Sequence, residues 1–140
     1  DYRWYLKDYG KGSLCLSLWR GNPNCIDFTL WVNPEQFKVE EIARMLRERK
    51  YKPVISAFER LDWLLEDPAS GYMLIEQSNF SFGDPNDGRI DLDKLAWYAN
   101  YKTDEFVTQI ARKVDRFRKD EKITELLREI NAAAQKKDGQ

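Results

Sequence analysis

The sequence contains no histidine among its 140 residues. This absence excludes Cys₂His₂ zinc fingers, Ser-His-Asp triads, Cys-His dyads and histidine proton shuttles, because each of these sites needs an imidazole. No apolar run approaches the ~20 residues that cross a bilayer, so we expect no membrane partner. Glycine-rich phosphate loops of the Walker or dinucleotide type are also missing. We therefore expect no cofactor, and we lean against an enzyme, which would have to work with carboxylates alone.

Cysteine is scarce, with only Cys15 and Cys25. Apolar alternation predicts a hairpin with arms at 14–20 and 26–32 around the turn 21–24. Its register is set by residues that share one face: Leu14, Leu16 and Leu18 with Val32, Leu30 and Phe28. This pairing places the two thiols roughly 20 Å apart, whereas a disulfide needs Cα atoms within about 7 Å. Two small, packed thiols are typical of a reducing compartment, and we expect a cytoplasmic protein.

Aromatic and charged residues are abundant instead. Apolar residues make up 42% of the chain and aromatic residues 14%, which is enough to build a core for one domain of this length. Residues 1–134 are expected to form a single α+β domain, and 135–140 a frayed polar tail. The chain begins at Asp1 rather than methionine, so we expect that it has been trimmed or processed.

Strand signals dominate the first third of the chain. Residues 2–7 are rich in strand formers, 8–12 have turn chemistry, and the hairpin follows, which predicts a three-stranded antiparallel meander. Residues 72–77 predict a buried strand that 78–82 extend or flank. We therefore expect an antiparallel sheet of three to five strands, packed by helices, with a helical C-terminal third.

Helix signals begin with Asn33, Pro34 and Gln36, which predict a capped start for a helix that ends near Tyr51. A second helix is predicted over about 53–66. Asp91 is predicted to cap a helix through Tyr98, and Thr103 a longer one. An apolar stripe then follows helical spacing: Phe106, Ile110, Val114, Phe117, Ile123, Leu126, Leu127 and Ile130. We favour packing of this stripe on the sheet; a homodimer through the same helices is the alternative.

The net charge of -1 conceals strong segregation of charge. Residues 62–93 hold eight acidic side chains against Arg89 alone, whereas 44–52 and 112–119 each hold five basic side chains against one acid. These segments are either solvated faces or a bipolar docking surface. If the basic segments converge, they can hold a phosphate backbone. The candidate phosphate contacts are Arg44, Arg47, Arg49, Lys50, Lys52, Arg112, Lys113, Arg116, Arg118 and Lys119.

Aromatic residues supply the candidate protein or base contacts. Trp19 and Trp31 are expected on the solvent side of the hairpin, beside Ser17, Asp27 and Thr29, unless helices cover that side too. A second group, Trp97, Tyr98 and Tyr101, is too large for one helix face to hide. An exposed aromatic group is able to anchor a protein partner or to stack on unpaired bases.

Metal signals are weak. Asp84, Asp87 and Asp91 lie in a loop that resembles a calcium loop, but its spacing is one residue short and its bidentate acid is missing. Asp27 and Glu76 are strand carboxylates that could hold Mg²⁺, although the lysine expected beside Glu76 is absent. We therefore expect no metal.

Taken together, the sequence predicts a non-catalytic accessory or regulatory module that docks on a protein through segregated charge and exposed aromatics. The alternative is an accessory nucleic-acid-binding domain that uses the two basic segments and aromatic stacking. A carboxylate-metal enzyme is the third hypothesis.

Overall fold

The computed structural model describes residues 2–5, 13–19, 25–58, 61–62, 70–84 and 86–137. Within these residues one sheet has five strands, in the spatial order β1-β2-β3-β5-β4, and all neighbours are antiparallel. The strands are β1 (Tyr2–Tyr5), β2 (Cys15–Trp19), β3 (Cys25–Trp31), β4 (Leu61–Asp62) and β5 (Tyr72–Ser81). The helices are α1 (Val39–Leu46), α2 (Lys52–Ile55), α3 (Leu92–Tyr101), α4 (Thr103–Lys119) and α5 (Glu121–Ala134). This arrangement confirms the predicted α+β class and the helical C-terminal third.

The hairpin register is confirmed. Leu16 pairs with Leu30, and Leu18 pairs with Phe28. Cys15 pairs with Trp31, at the opposite end of β3 from Cys25. The two cysteines are therefore separated by the length of a strand, roughly 20 Å. The predicted turns at 8–12 and 21–24 lie outside the described residues.

One hydrophobic core joins the sheet to the helices. Phe28, Leu30 and Leu74 are fully buried on the sheet, and Leu126 and Ile130 of α5 are fully buried against the same cluster. The apolar stripe of α4 and α5 therefore packs in this chain's own core from Val114 to Ile130, whereas Phe106 and Ile110 at its start are half-buried. Among the described residues, no helix combines the length and the apolar character needed to cross a membrane.

The helix predicted to start at Asn33 starts later. The Asn33 side chain accepts a hydrogen bond from the Glu35 amide at 3.0 Å, so it stabilises a turn. Phe37 then pairs with Gln135 in an isolated bridge, and the Lys38 amide donates to the Ala134 carbonyl at 2.8 Å. These long-range bonds keep the chain extended, and α1 begins only at Val39. Past α1, a 3₁₀ turn at Arg49–Tyr51 replaces the predicted continuation of the helix.

The second predicted helix is wrong over most of its described length. Helix α2 ends at Ile55, and Leu61–Asp62 form a strand that pairs with Glu76 and Ile75 on β5. Pairing with the edge of the sheet outweighs the local helical spacing here. Residues 59–60 and 63–66 of that prediction lie outside the described part of the chain.

The caps and the tail give three further outcomes. The Asp91 side chain accepts hydrogen bonds from the amides of Asp93 and Lys94, which confirms its predicted capping role. Thr103 does not cap α4, because it is already helical and its hydroxyl donates to the Ala99 carbonyl. The tail predicted to fray begins with a bonded residue pair: Gln135 bridges Phe37, and the Lys136 amide donates to the Gln36 carbonyl at 2.8 Å.

Candidate functional site

Helix α3 is held to the domain by a small aromatic cluster. Tyr98 is half-buried and makes edge-to-face contacts with Phe80 and Phe82, with ring centroids 5.7 and 5.3 Å away. Phe106 of α4 completes the cluster by packing on Phe80 at 4.5 Å. The predicted contact residue Tyr98 therefore attaches α3 to the sheet, and the remaining faces of the helix point outward.

These outward faces are apolar. Helix α3, all of which the structure describes, has ten residues and none of them is buried. Leu92 is 74% exposed, Tyr101 73% and Trp97 48%. Leu92, Leu95, Ala96 and Ala99 follow the i, i+3, i+4, i+7 spacing of a docking helix, and all four are exposed. The α3 surface is defined here as these four residues together with Trp97 and Tyr101.

Trp97 and Tyr101 form a pair on a second side of the same helix. Their ring centroids lie 5.9 Å apart, and the Trp97 ring also meets Tyr98 edge to face at 5.2 Å. The Lys102 ammonium lies 6.0 Å from the Trp97 ring centroid. The pair is therefore supported by neighbouring side chains while it stays open to solvent, as in an aromatic anchor.

Acidic residues outnumber basic residues in the segment that carries the α3 surface. Residues 84–105 contain six acidic and three basic residues. Asp87, Asp93 and Asp104 are exposed, and Lys102 is paired with Glu105 at 2.9 Å. The segment therefore has a net negative charge, which makes a positively charged counterpart electrostatically favourable.

A separate cleft of about 420 Å³ runs along α4. At its floor the Lys113 ammonium donates to Glu76 Oε2 at 2.6 Å and to the Ala57 carbonyl at 2.7 Å. The side chains are 8% and 3% exposed, so this is a buried ion pair. The rings of Phe28 and Phe58 lie 5.7 and 5.5 Å from the same ammonium. The remaining lining residues of the cleft are Asp104, Glu105, Thr108, Gln109, Arg112 and Arg116.

The predicted phosphate contacts do not form one basic surface. Arg112, Lys113 and Arg116 share the cleft on α4, whereas Arg47, Arg49 and Lys52 line another cavity beside Leu46 and Ile55. Lys113 is wrong as a phosphate contact on the surface, because it is buried against Glu76. Arg118 is exposed on α4 outside the cleft.

Several of the other predicted phosphate-contact residues form ion pairs. Arg44 pairs with Glu41 and Glu48, Lys50 with Glu129 at 2.5 Å, and Lys119 with Asp115 at 3.0 Å. Acidic partners one helical turn away, or on a facing helix, already satisfy these side chains. The net positive charge counted along residues 44–52 and 112–119 therefore overstates the positive electrostatic potential at these two segments.

The expected solvent side of the hairpin is buried. Ser17, Asp27 and Thr29 are all at most 4% exposed, so they do not flank an open platform. Trp31 is half-buried, its indole N–H donates to the Ser70 carbonyl at 3.1 Å, and the Arg3 guanidinium lies 3.8 Å from its ring centroid. The side chain of Trp19 lies outside the described part of the structure.

The weak metal candidates have other roles. Asp84 and Asp87 accept hydrogen bonds from the amides of Asn86 and Arg89 at 2.7 and 2.9 Å, and Asp91 caps α3. Within the described ranges, no three acidic or cysteine side chains come together as metal ligands.

The paired-carboxylate hypothesis is contradicted by the register of the sheet. Asp27 pairs with Gln77, and Glu76 pairs with Phe28. Because neighbouring residues on a strand point to opposite faces, Asp27 and Glu76 lie on opposite faces of the sheet. They cannot share a metal ion.

Two features were missed from the sequence. Leu92 and Leu95 were not identified as contact candidates, although α3 has apolar residues around most of its circumference, more than the single stripe that a surface helix typically buries. The Glu76–Lys113 pair was missed because its members are 37 residues apart and no local pattern joins them.

No family model matches this chain, and neither a curated protein nor a solved structure shows significant similarity to it.

Proposed function

We propose that this protein is a non-catalytic interaction module that docks α3 into an apolar groove with a basic rim on a partner protein. The observation that carries the proposal is a helix with no buried residue and an exposed apolar stripe. Exposed apolar side chains that cluster in this way are typical of interaction sites, because leaving them in water is unfavourable. Helix-in-groove recognition uses the same i, i+3, i+4, i+7 spacing.

The charge around α3 favours one kind of occupant. A second copy docked through the same surface would bring acidic rim against acidic rim, since Asp87, Asp93 and Asp104 are all exposed there. Like charges that face each other across an interface weaken the binding free energy by several kcal/mol, about 2 to 4 kcal/mol. A partner with lysine or arginine around its groove avoids that repulsion and gains a faster association rate.

The aromatic pair supplies the anchor of the proposed interface. Tryptophan and tyrosine are over-represented among the residues that dominate binding energies. Trp97 is held against Tyr98 and Tyr101, so little additional ordering is needed when it enters a pocket. We assign Trp97 and Tyr101 as the main contacts and Leu92 and Leu95 as the supporting apolar contacts.

The proposal is tested by site-specific photo-crosslinking in the organism that encodes the chain. A photoreactive phenylalanine analogue replaces Tyr101 in one strain and Ala133, which is exposed on α5, in the matched control. The captured protein is then purified and titrated against the wild type and against Trp97→Ala. We expect a single basic protein captured only from position 101, and an affinity at least about 10-fold weaker for Trp97→Ala.

Three results would contradict the proposal. The first is the same set of adducts from positions 101 and 133, which would indicate random collision. The second is an adduct of the chain with its own second copy. The third is a purified partner that binds wild type and Trp97→Ala equally well.

A further inference from the structure

The cleft on α4 contains two guanidinium groups that have no acidic partner within the described residues. Arg112 and Arg116 both line it and both are exposed. No ion pair joins either of them to another described residue, whereas the lysines Lys102, Lys113 and Lys119 each have one. Since the two arginines are four residues apart on α4, they lie on one flank of the helix about 6 Å apart.

The floor of the cleft is already neutralised. Glu76 lines it but is bonded to Lys113, so its charge does not repel an anion. At this end of the cleft, the one negative charge of Glu76 and the three positive charges of Arg112, Lys113 and Arg116 give a net charge of +2.

Thr108 and Gln109 lie between the two arginines and the acidic residues Asp104 and Glu105 near the start of α4. Glu105 is paired with Lys102 at 2.9 Å. Asp104, which also lines the cleft, is about 12 Å from Arg112 along the helix axis. The anionic group of a ligand is therefore favoured at the arginine end, and the Asp104 end favours a neutral or cationic group.

We infer that this cleft binds a small dianion, a phosphate monoester or a dicarboxylate, through Arg112 and Arg116. Guanidinium groups bind both oxyanions through paired N–H···O bonds, and two of them match the two charges. A volume of about 420 Å³ suits a small molecule. Asp104 disfavours longer polyanions. None of these residues belongs to the α3 surface, so the inference is independent of the proposed docking function.

The test titrates inorganic phosphate and succinate separately up to 20 mM, against sodium chloride of equal ionic strength. Amide and arginine side-chain NMR shifts are followed in the wild type, Arg112→Gln, Arg116→Gln and the matched control Arg118→Gln. We expect saturable shifts at Thr108, Arg112 and Arg116 for at least one probe, with the affinity weakened at least about 10-fold in Arg112→Gln and Arg116→Gln and unchanged in Arg118→Gln. Phosphate binding alone assigns the monoester class, and succinate binding alone assigns the dicarboxylate class.

The conservative variant Arg112→Lys separates bidentate recognition from simple charge. It retains the charge but loses the planar fork, and we expect several-fold weaker binding. The inference is overturned if neither probe saturates by 20 mM. It is also overturned if the shifts spread over the basic residues of the whole surface, or if Arg118→Gln weakens binding as much as Arg112→Gln does.

Discussion

The carboxylate of Glu76 on β5 and the ammonium of Lys113 on α4 lie 2.6 Å apart, beneath the charged cleft. Together with the bond from Lys113 to the Ala57 carbonyl, this pair joins the sheet, the segment after α2 and helix α4. Phe58 and Phe117 pack edge to face at 5.2 Å nearby, so the polar contact is embedded in apolar surroundings.

Removal of one member of this pair leaves the other charge buried without its ion-pair partner. We expect Glu76→Gln and Lys113→Met each to lower the free energy of unfolding by about 3 to 5 kcal/mol. The double variant Glu76→Leu/Lys113→Met is expected to recover part of that loss, because two apolar groups need no partner. Urea unfolding at pH 7 measures all three.

The exposed pair of Lys119 and Asp115 is the matched control. Lys119→Met should change the free energy of unfolding by no more than about 0.5 kcal/mol, since solvent screens that pair. Typical surface substitutions change the free energy of unfolding by about 0.5 kcal/mol. A loss below about 1 kcal/mol in the single variants at Glu76 and Lys113 would therefore contradict a structural role for the pair. A double variant that loses as much as the two single variants together would contradict it as well.

The Lys50–Glu129 pair gives a prediction for pH. The hydrogen bond from Lys50 lowers the pKa of Glu129 below its ordinary value of 4.5. Because the folded-state pKa is lowered, the stabilisation is fully present above the unfolded-state pKa and is lost as the pH falls through the folded-state pKa. We expect Glu129→Gln to be less stable than the wild type at pH 7, and the difference to disappear towards pH 3. Thermal unfolding across that range measures it, and a difference that grows as the pH falls would contradict it.

Sequence patterns correctly predicted the structural features that depend on residues close together in the chain. Period-two alternation fixed the pairing of Leu16 with Leu30, and Asp91 was identified as a cap from local chemistry alone. The start of α1 was missed because Phe37 bridges Gln135, which is 98 residues away in the sequence. The strand at Leu61–Asp62 was missed because it is formed by pairing with β5, 13 to 15 residues further along the chain, and the local helical spacing does not show that pairing.

The candidate site was predictable only in part, for the same reason. The aromatic group at Trp97, Tyr98 and Tyr101 was identified, but which ring is anchored depends on Phe80 and Phe82. Likewise, the basic segments were visible in the sequence, whereas their neutralisation by Glu76 and Glu129 depends on tertiary contacts.

The backbone at Gly71 passes too close to Val32 to leave room for a side chain. Its φ is +71°, and a Cβ atom there would lie 2.0 Å from the Val32 carbonyl oxygen. The Val32 amide also donates to the Gly71 carbonyl at 3.0 Å, so the two segments cannot separate without losing that bond. We expect Gly71→Ala to lower the free energy of unfolding by about 2 kcal/mol or more. Urea unfolding measures this change in the free energy of unfolding. A change of less than about 1 kcal/mol would contradict the close approach of Gly71 to Val32.

Oligonucleotide binding distinguishes the docking proposal from the nucleic-acid alternative. Lys113 is buried, and Arg47, Arg49 and Lys52 line a different cavity from Arg112 and Arg116, so we expect an oligonucleotide to contact only a few of these cations at once. We expect any binding of single- or double-stranded DNA to have a log–log salt slope smaller in magnitude than about 2. Fluorescence anisotropy at 50 and 200 mM salt measures the slope, and a value near that of an extended phosphate contact would favour the nucleic-acid alternative.

Docking through α3 is tested by measuring binding and stability in the same variants. Trp97→Ala and Leu92→Ala are titrated against the purified partner, with Asn100→Ala, exposed on the same helix, as the matched control. The account predicts that Trp97→Ala weakens the affinity by about 30-fold while every variant keeps its free energy of unfolding within about 0.5 kcal/mol. Unchanged affinity in Trp97→Ala, or a loss of stability that parallels the loss of binding, would contradict a docking role for α3.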